Sequence, residues 1–256
     1  MRTKTLVLTA AISAAALATS MAQIFSVNAV GYVKVTIPAN GLEMIANPLN
    51  QPNNDLNVIL PLKDDSTQDG ITIYRFDPNG GGGGGAYRNA ITWVSNGPGM
   101  GGLWFTPDVD PNATVVNPGE GFFVYNVTGT AADLTFVGEV MQGSLSNPIP
   151  ANGKLSMRSS QVPQAAGLGD PAHADSLRFP ASGGDTVYVF DVPGHAQAYS
   201  DAYTYIDTGD PTMPNFWFNA SDANPEGPVI PVAGSFFVIK ADAVASVNWT
   251  RTFSVN

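Results

Sequence analysis

A chain of 256 residues with a formal charge of -10 and only 12% charged residues is long enough for one large or two modest domains. Its acidity excludes attraction to nucleic acid and to anionic lipid surfaces. With no cysteine it carries neither disulfides nor a thiol nucleophile, so its core, a metal or assembly must hold it.

Residues 1–22 read as a secretory signal peptide. Arg2 and Lys4 precede an apolar run from Leu6 to Leu17, and Ser20-Met21-Ala22 has the small-x-small form of a cleavage site. The run is too short for a membrane helix, which needs about 20 apolar residues. The expected mature chain starts near Gln23, has a charge of -12 once Arg2 and Lys4 are gone, and contains no membrane span. Its expected location is outside the cytoplasm: extracellular, at the cell surface or periplasmic.

Plentiful Gly, Pro, Asn, Thr and Ser predict short strands and many turns. Ile24 to Ile37 reads as a strand in which Val33, Val35 and Ile37 share one apolar face. Leu42 to Ala46 is a short strand stopped by Asn47-Pro48. Asp55 to Leu62 is one or two helical turns with Asp55 as N-cap. Strands follow at Gly70 to Asp77, Ala86 to Val94 and Leu103 to Phe105, with six glycines, Gly80 to Gly85, forming a hairpin tip. The turn Asn117-Pro118-Gly119-Glu120 leads into the aromatic strand Gly121-Phe122-Phe123-Val124-Tyr125. Leu134 to Val140 closes the first half.

The second half repeats this order. Ile149-Pro150-Ala151-Asn152-Gly153 copies Ile37-Pro38-Ala39-Asn40-Gly41, Thr186 to Asp191 answers Thr72 to Asp77, and Gly234 to Lys240 answers Glu120 to Asn126. Tyr199, Tyr205 and Trp217-Phe218 answer Tyr87, Trp93 and Trp104-Phe105. Landmarks in one order, 112 to 114 residues apart, mark an internal duplication of domain-sized units. The expected architecture is all-β: two homologous β-sandwich or barrel-like units in tandem. They span residues 23–140 and 141–256, after the signal peptide at 1–22.

Phe25-Ser26-Val27-Asn28 recurs as Phe253-Ser254-Val255-Asn256 at the end. One reading is a closing strand for the last sheet. The other is an assembly strand, in which Phe25, Val27, Phe253 and Val255 pair with a neighbouring copy to build an oligomer or filament.

Asn28 to Val33, Asn117 to Val124 and Trp249 to Asn256 together resemble exported, uncharacterised duplicated β-repeat proteins of environmental Gram-negative bacteria. Leu42 to Leu49, Ile71 to Asp77 and Pro118 to Val124 are also similar to β-domains near the C-termini of large secreted surface proteins. The resemblance implies an all-β accessory or surface domain and transfers no catalytic residue.

Candidate chemistry is sparse. His173 and His195 lie in loops of the second half, without metal-ligand spacing or a nucleophile elbow. The glycine run lacks the Lys-Ser/Thr of a phosphate loop. Asp108, Asp110 and Asn112, and their counterparts Asp222, Asn224 and Glu226, place oxygen side chains at alternate positions of a turn. A calcium loop and a plain acidic turn both fit. Trp93, Trp104, Trp217, Tyr199 and Tyr205 recur in both halves, which favours a core role. Tyr203 has no counterpart, so it is the better exposed contact for a glycan. No catalytic residue and no cofactor other than calcium is expected. The leading expectation is a non-catalytic structural or adhesive protein of the surface or extracellular matrix, self-assembling through edge or terminal strands. The alternative is a carbohydrate-binding module with a polysaccharide partner.

Overall fold

The computed structural model describes residues 29–63, 66–97, 99–150, 153–169, 175–191, 196–222, 224–241 and 245–255. The chain is all-β, with strands β1 (Val30–Ile37), β2 (Leu42–Ala46), β3 (Thr72–Asp77), β4 (Ala86–Tyr87), β5 (Ile91–Ser95), β6 (Gly102–Phe105), β7 (Gly121–Tyr125) and β8 (Ala132–Glu139) in its first half. The second half carries β9 (Gly143–Ile149), β10 (Leu155–Arg158), β11 (Ala166–Gly167), β12 (Thr186–Tyr188), β13 (Tyr203–Ile206), β14 (Phe216–Phe218), β15 (Val229–Ile230), β16 (Phe236–Ile239) and β17 (Val247–Phe253). Among the described residues there is one α-helix, α1 (Leu56–Ile59), which follows its N-cap Asp55, whose carboxylate accepts the Asn57 N–H at 2.8 Å.

Two antiparallel sheets form the centre. One runs β2-β7-β3-β5-β6, with β4 pairing β3, and the other runs β10-β16-β12-β13-β14. The strand order of the first is thus repeated in the second, and so is its register. A cross-strand row Leu42, Tyr125, Thr72, Thr92, Phe105 in one sheet has its match in Leu155, Ile239, Thr186, Thr204, Phe218 in the other. Outside each sheet lies a two-stranded ribbon, β1·β8 for the first half and β9·β17 for the second. In β1 the alternation read from the sequence holds: Val30, Tyr32, Lys34 and Thr36 face out, and Val33, Val35 and Ile37 face in.

Each sheet has its own core. Trp93, Trp104, Phe122 and Phe136 pack with aliphatic side chains in the first half, and Phe179, Tyr205, Trp217, Phe236 and Trp249 do so in the second. The tryptophans are core residues, as their recurrence suggests. Three of the buried indoles find partners: Trp104 Nε1 donates to the Leu60 carbonyl (2.9 Å), Trp217 Nε1 to that of Gly169 (3.2 Å) and Trp249 Nε1 to that of Leu177 (3.0 Å), whereas Trp93 Nε1 has none among the described residues.

The other faces of the two sheets meet. Met44, Phe123, Met157 and Phe237 are buried between them, flanked by Leu42, Tyr74, Phe76, Leu155, Tyr188 and Phe190. The packing is nearly self-complementary. Phe76 meets Phe237 edge-on at 5.2 Å, and their counterparts Phe190 and Phe123 meet at the same 5.2 Å. The Ala46 N–H donates to the Ala233 carbonyl at 2.8 Å, and its counterpart Ser159 to Gly119 at 3.0 Å. The outer edge of β2 is thereby closed by the turn before β16, and that of β10 by the turn before β7. Gly119 is required in its turn, because φ is +88° and a Cβ would lie 2.3 Å from Asn147 Nδ2.

The segment expected as one strand from Ala86 to Val94 is two, β4 and β5, with Arg88 bonded through its N–H to the Arg75 carbonyl (2.8 Å). Among the described residues no helix is long and apolar enough to cross a membrane.

Candidate functional site

The junction of the two sheets leaves an open aromatic cleft of about 500 Å³ lined by Leu42, Tyr74, Tyr87, Arg88, Ala90, Phe123, Phe190 and Tyr199. The strand pattern places them there. Leu42 and Tyr74 lie on the junction face of the first sheet, and β4 carries Tyr87 beside Phe76. The second half reaches across with Phe190 and Tyr199, which stack edge-on at 5.3 Å. Gln197 fastens this wall to β2: the Leu42 N–H donates to its Oε1 (2.7 Å), and its Nε2 donates to the Leu42 carbonyl (3.0 Å).

Tyr87 and Tyr199 stand at the mouth, 49% and 40% exposed. Burial pushes both phenols up, and the mutual contact raises Tyr199 further, so both stay neutral at physiological pH. Arg88 brings the one cation of the described lining, its Nη2 3.3 Å from Asp77 Oδ2. Apolar walls with a few convergent polar tips suit a ligand that presents a flat, weakly polar face. The described lining contains no carboxylate, imidazole or aliphatic hydroxyl to act as a nucleophile or general acid.

A second cleft of about 500 Å³ lies on the other side of β2 and is bordered by Lys34 to Thr36, Glu43 to Ile45, Val189 to Asp191 and Val229 to Ser235. Here the Glu43 carboxyl hydrogen-bonds Asp191. Burial, then that bond and the charge of Asp191, push Glu43 up to about 8. Asp191 has a left-handed backbone, φ +52°, and also accepts the Gln197 N–H at 2.6 Å. Lys34 does not neutralise the pair: its Nζ lies 2.7 Å from Asp133.

The residues singled out in the sequence fall elsewhere. Asp108 and Asp110 accept the N–H groups of Asp110 (3.1 Å) and Asn112 (2.9 Å) in an exposed turn. Asp222 accepts from Asn224 N–H (3.0 Å) and the Tyr203 hydroxyl (2.9 Å), and Asn224 from Glu226 N–H (3.1 Å). As arranged, these oxygens accept hydrogen bonds within their own turns. Among the described residues no group of three His, Cys, Asp or Glu side chains gathers. Tyr203 corrects the expectation of an exposed glycan contact. It pairs with Val187 across the second sheet and is only 6% exposed, because strand alternation turns it into the core. Tyr199, four residues before the strand and expected in the core from its recurrence, is instead 40% exposed and is the tyrosine that reaches solvent.

Of the assembly residues, Phe253 pairs with Gly143 at the end of β17, and the Val255 N–H donates to Gln142 (3.0 Å). Phe25 and Val27, like His173 and His195, lie outside the described residues. The edge of β6 is blunted at its centre, where the Trp104 N–H is taken by Asn57 (2.7 Å). Sequence reasoning missed Arg88, Glu43 and Asp191. A signal was present for two of them: the duplication sets Ser156 opposite Glu43 and Ser200 opposite Arg88. Comparison with protein-family models, curated proteins and solved structures returns no match.

Proposed function

We propose that the chain is an exported, non-catalytic adhesive protein that holds a polysaccharide in the aromatic cleft between its two sheets. Export rests on the signal-like residues 1–22, and a surface role on the resemblance of the β-repeat. The observation that carries the ligand reading is the pair of half-exposed rings, Tyr87 and Tyr199, at the mouth of a cleft walled by Leu42, Tyr74, Phe123 and Phe190. The C–H face of a sugar ring stacks on such rings, while the phenols and Arg88 offer hydrogen bonds to its hydroxyls. An array of polysaccharides probed with the purified protein tests this. Tyr87→Ala and Tyr199→Ala should each weaken binding by about 1 kcal/mol, roughly fivefold in Kd. A wild-type protein that binds none of the glycans refutes the reading.

A second reading, self-association, is favoured by β1. This strand of eight residues pairs with β8 on one side only among the described residues, and exposes Val30 (62%) and Tyr32 (73%). Light scattering tests it: oligomers should disappear with Val33→Pro, and a wild-type monomer at all concentrations rules it out.

A further inference from the structure

The second half contains a lysine and an aspartate that meet in full burial. Lys240, one residue past β16, is 1% exposed at its side chain, and Asp185, one residue before β12, is 0% exposed. The strands are neighbours, with Thr186 opposite Ile239, so the two side chains face each other across the ladder. Lys240 Nζ is in direct contact with Asp185 Oδ2. It also donates to the Pro180 carbonyl (2.6 Å) and to Ser182 Oγ (3.2 Å), and sits over the Phe179 ring at 5.4 Å. Asp185 Oδ1 accepts the Ala241 N–H (3.0 Å), and Oδ2 accepts the Ser182 N–H (2.8 Å) and hydroxyl (3.1 Å).

The fold itself does not demand this pair. In the first half the same positions hold Ile71, fully buried, and Asn126, whose amide bonds the carbonyls of Ile37, Pro38 and Thr130 at 2.8 to 3.3 Å. An apolar residue and a neutral amide close that corner. Replacing them by two buried charges carries a desolvation cost.

We propose that Lys240 and Asp185 condense into an internal amide cross-link, an isopeptide bond between Nζ and Cγ. The geometry supplies each step. One proton passes from the Nζ ammonium to Oδ2, which removes both charges from a dry site. The freed Nζ lone pair attacks Cγ, and the electron pair moves to Oδ1, where the Ala241 N–H stabilises the oxyanion. A second proton passes from Nζ to Oδ2 by way of the Ser182 hydroxyl. The Cγ–Oδ2 bond breaks, Oδ2 leaves as water, and Oδ1 becomes the amide oxygen. Of the three protons on the ammonium two leave in the water, and the third stays on the amide nitrogen, directed at the Pro180 carbonyl. No oxidant, metal or cofactor enters. The bond joins two neighbouring strands of the second sheet, so a cysteine-free chain gains a covalent staple.

Tryptic peptide mapping of the purified full-length chain with tandem mass spectrometry tests the proposal. No lysine or arginine lies between Arg178 and Lys240, so the expected result is a single peptide of residues 179–251, uncleaved after Lys240, lighter than its sequence by one water and closed into a loop from Asp185 to Lys240. Linear peptides ending at Lys240 with no loss of water would overturn it. A loss of water that persists in Lys240→Arg would also overturn it, since that marks a cyclic imide at the aspartate. The wild-type map decides the question even where the variant fails to fold.

Discussion

Replacing Glu43 by glutamine should change how stability depends on pH, and in a direction that the geometry fixes. Glu43 shares a hydrogen bond with Asp191 in the cleft beside β2, and its carboxyl is pushed up from 4.5 to about 8, first by burial and then by that neighbour. Between those values the folded chain holds a proton that the unfolded chain has released. Stability contributed by that proton is therefore complete below about pH 4.5, falls as pH rises through the window, and is gone above about 8. The whole shift cannot be converted at 1.36 kcal/mol per unit, because Glu43 is only half-buried and solvent screens the pair. The expected loss is about 1–2 kcal/mol. Glu43→Gln keeps a donor for Asp191 and removes the titration. Urea unfolding followed by tryptophan fluorescence should show wild type and variant alike near pH 4 and the variant more stable by about 1–2 kcal/mol near pH 9. The charged groups that face the pair are few: Lys34, already paired with Asp133, on β1, and no ionisable side chain in Val229 to Ser235. His195, four residues after Asp191 in the chain, lies outside the described residues, and an unperturbed histidine titrates near 6.5. The wild-type-to-variant difference should therefore be measured in a His195→Gln background as well. Parallel pH profiles in that background would refute the reasoning.

Two further perturbations probe the packing. Phe237→Ala empties the junction of the sheets, where the ring lies 5.2 Å from Phe76 and 6.0 Å from Tyr199, and should cost about 3–5 kcal/mol in urea unfolding. Gly102→Ala would place a Cβ 2.3 Å from Trp93 Cζ2; it should cost about 1–3 kcal/mol and alter tryptophan emission, whereas Gly143→Ala, with open space around it but φ +87°, should leave emission unchanged.

Much of the local structure was legible because it is dictated locally. Alternation in β1, the Asp55 cap and the glycine-led entry into β7 depend on residues within a few positions of one another. The break between β4 and β5 was not, because Tyr87, Ile91 and Trp93 read as one strand and only tertiary pairing shows that Arg88 to Ala90 leave the ladder. In β7 the run Phe122-Phe123-Val124 announces burial on both faces but not by what. Phe122 faces its own core, whereas Phe123 meets Phe190 and Phe237 of the other half. The aromatic cleft arises from that long-range contact, so no window of sequence contains it. The expectation for Tyr203 fails for a related reason: lack of an aromatic counterpart says nothing about exposure, which register in β13 decides.

The duplication also supplies an internal control. Positions that match in both halves, such as Met44 and Met157, Phe76 and Phe190, or Phe123 and Phe237, fill the same spaces and are accounted for by the fold. Positions that differ while the backbone stays the same are not required by it. Arg88 stands opposite Ser200, Glu43 opposite Ser156, Asp185 opposite Ile71 and Lys240 opposite Asn126. In each pair the charged member is costlier to bury or confine than the neutral residue that serves equally well in the other copy. All four charges occupy particular places: Arg88 the rim of the aromatic cleft, Glu43 the cleft behind it, and Lys240 and Asp185 their mutual contact. A structural explanation would have to say why only one copy needs each of them. The binding and cross-linking readings need no such symmetry, since one ligand cleft and one staple serve the whole chain.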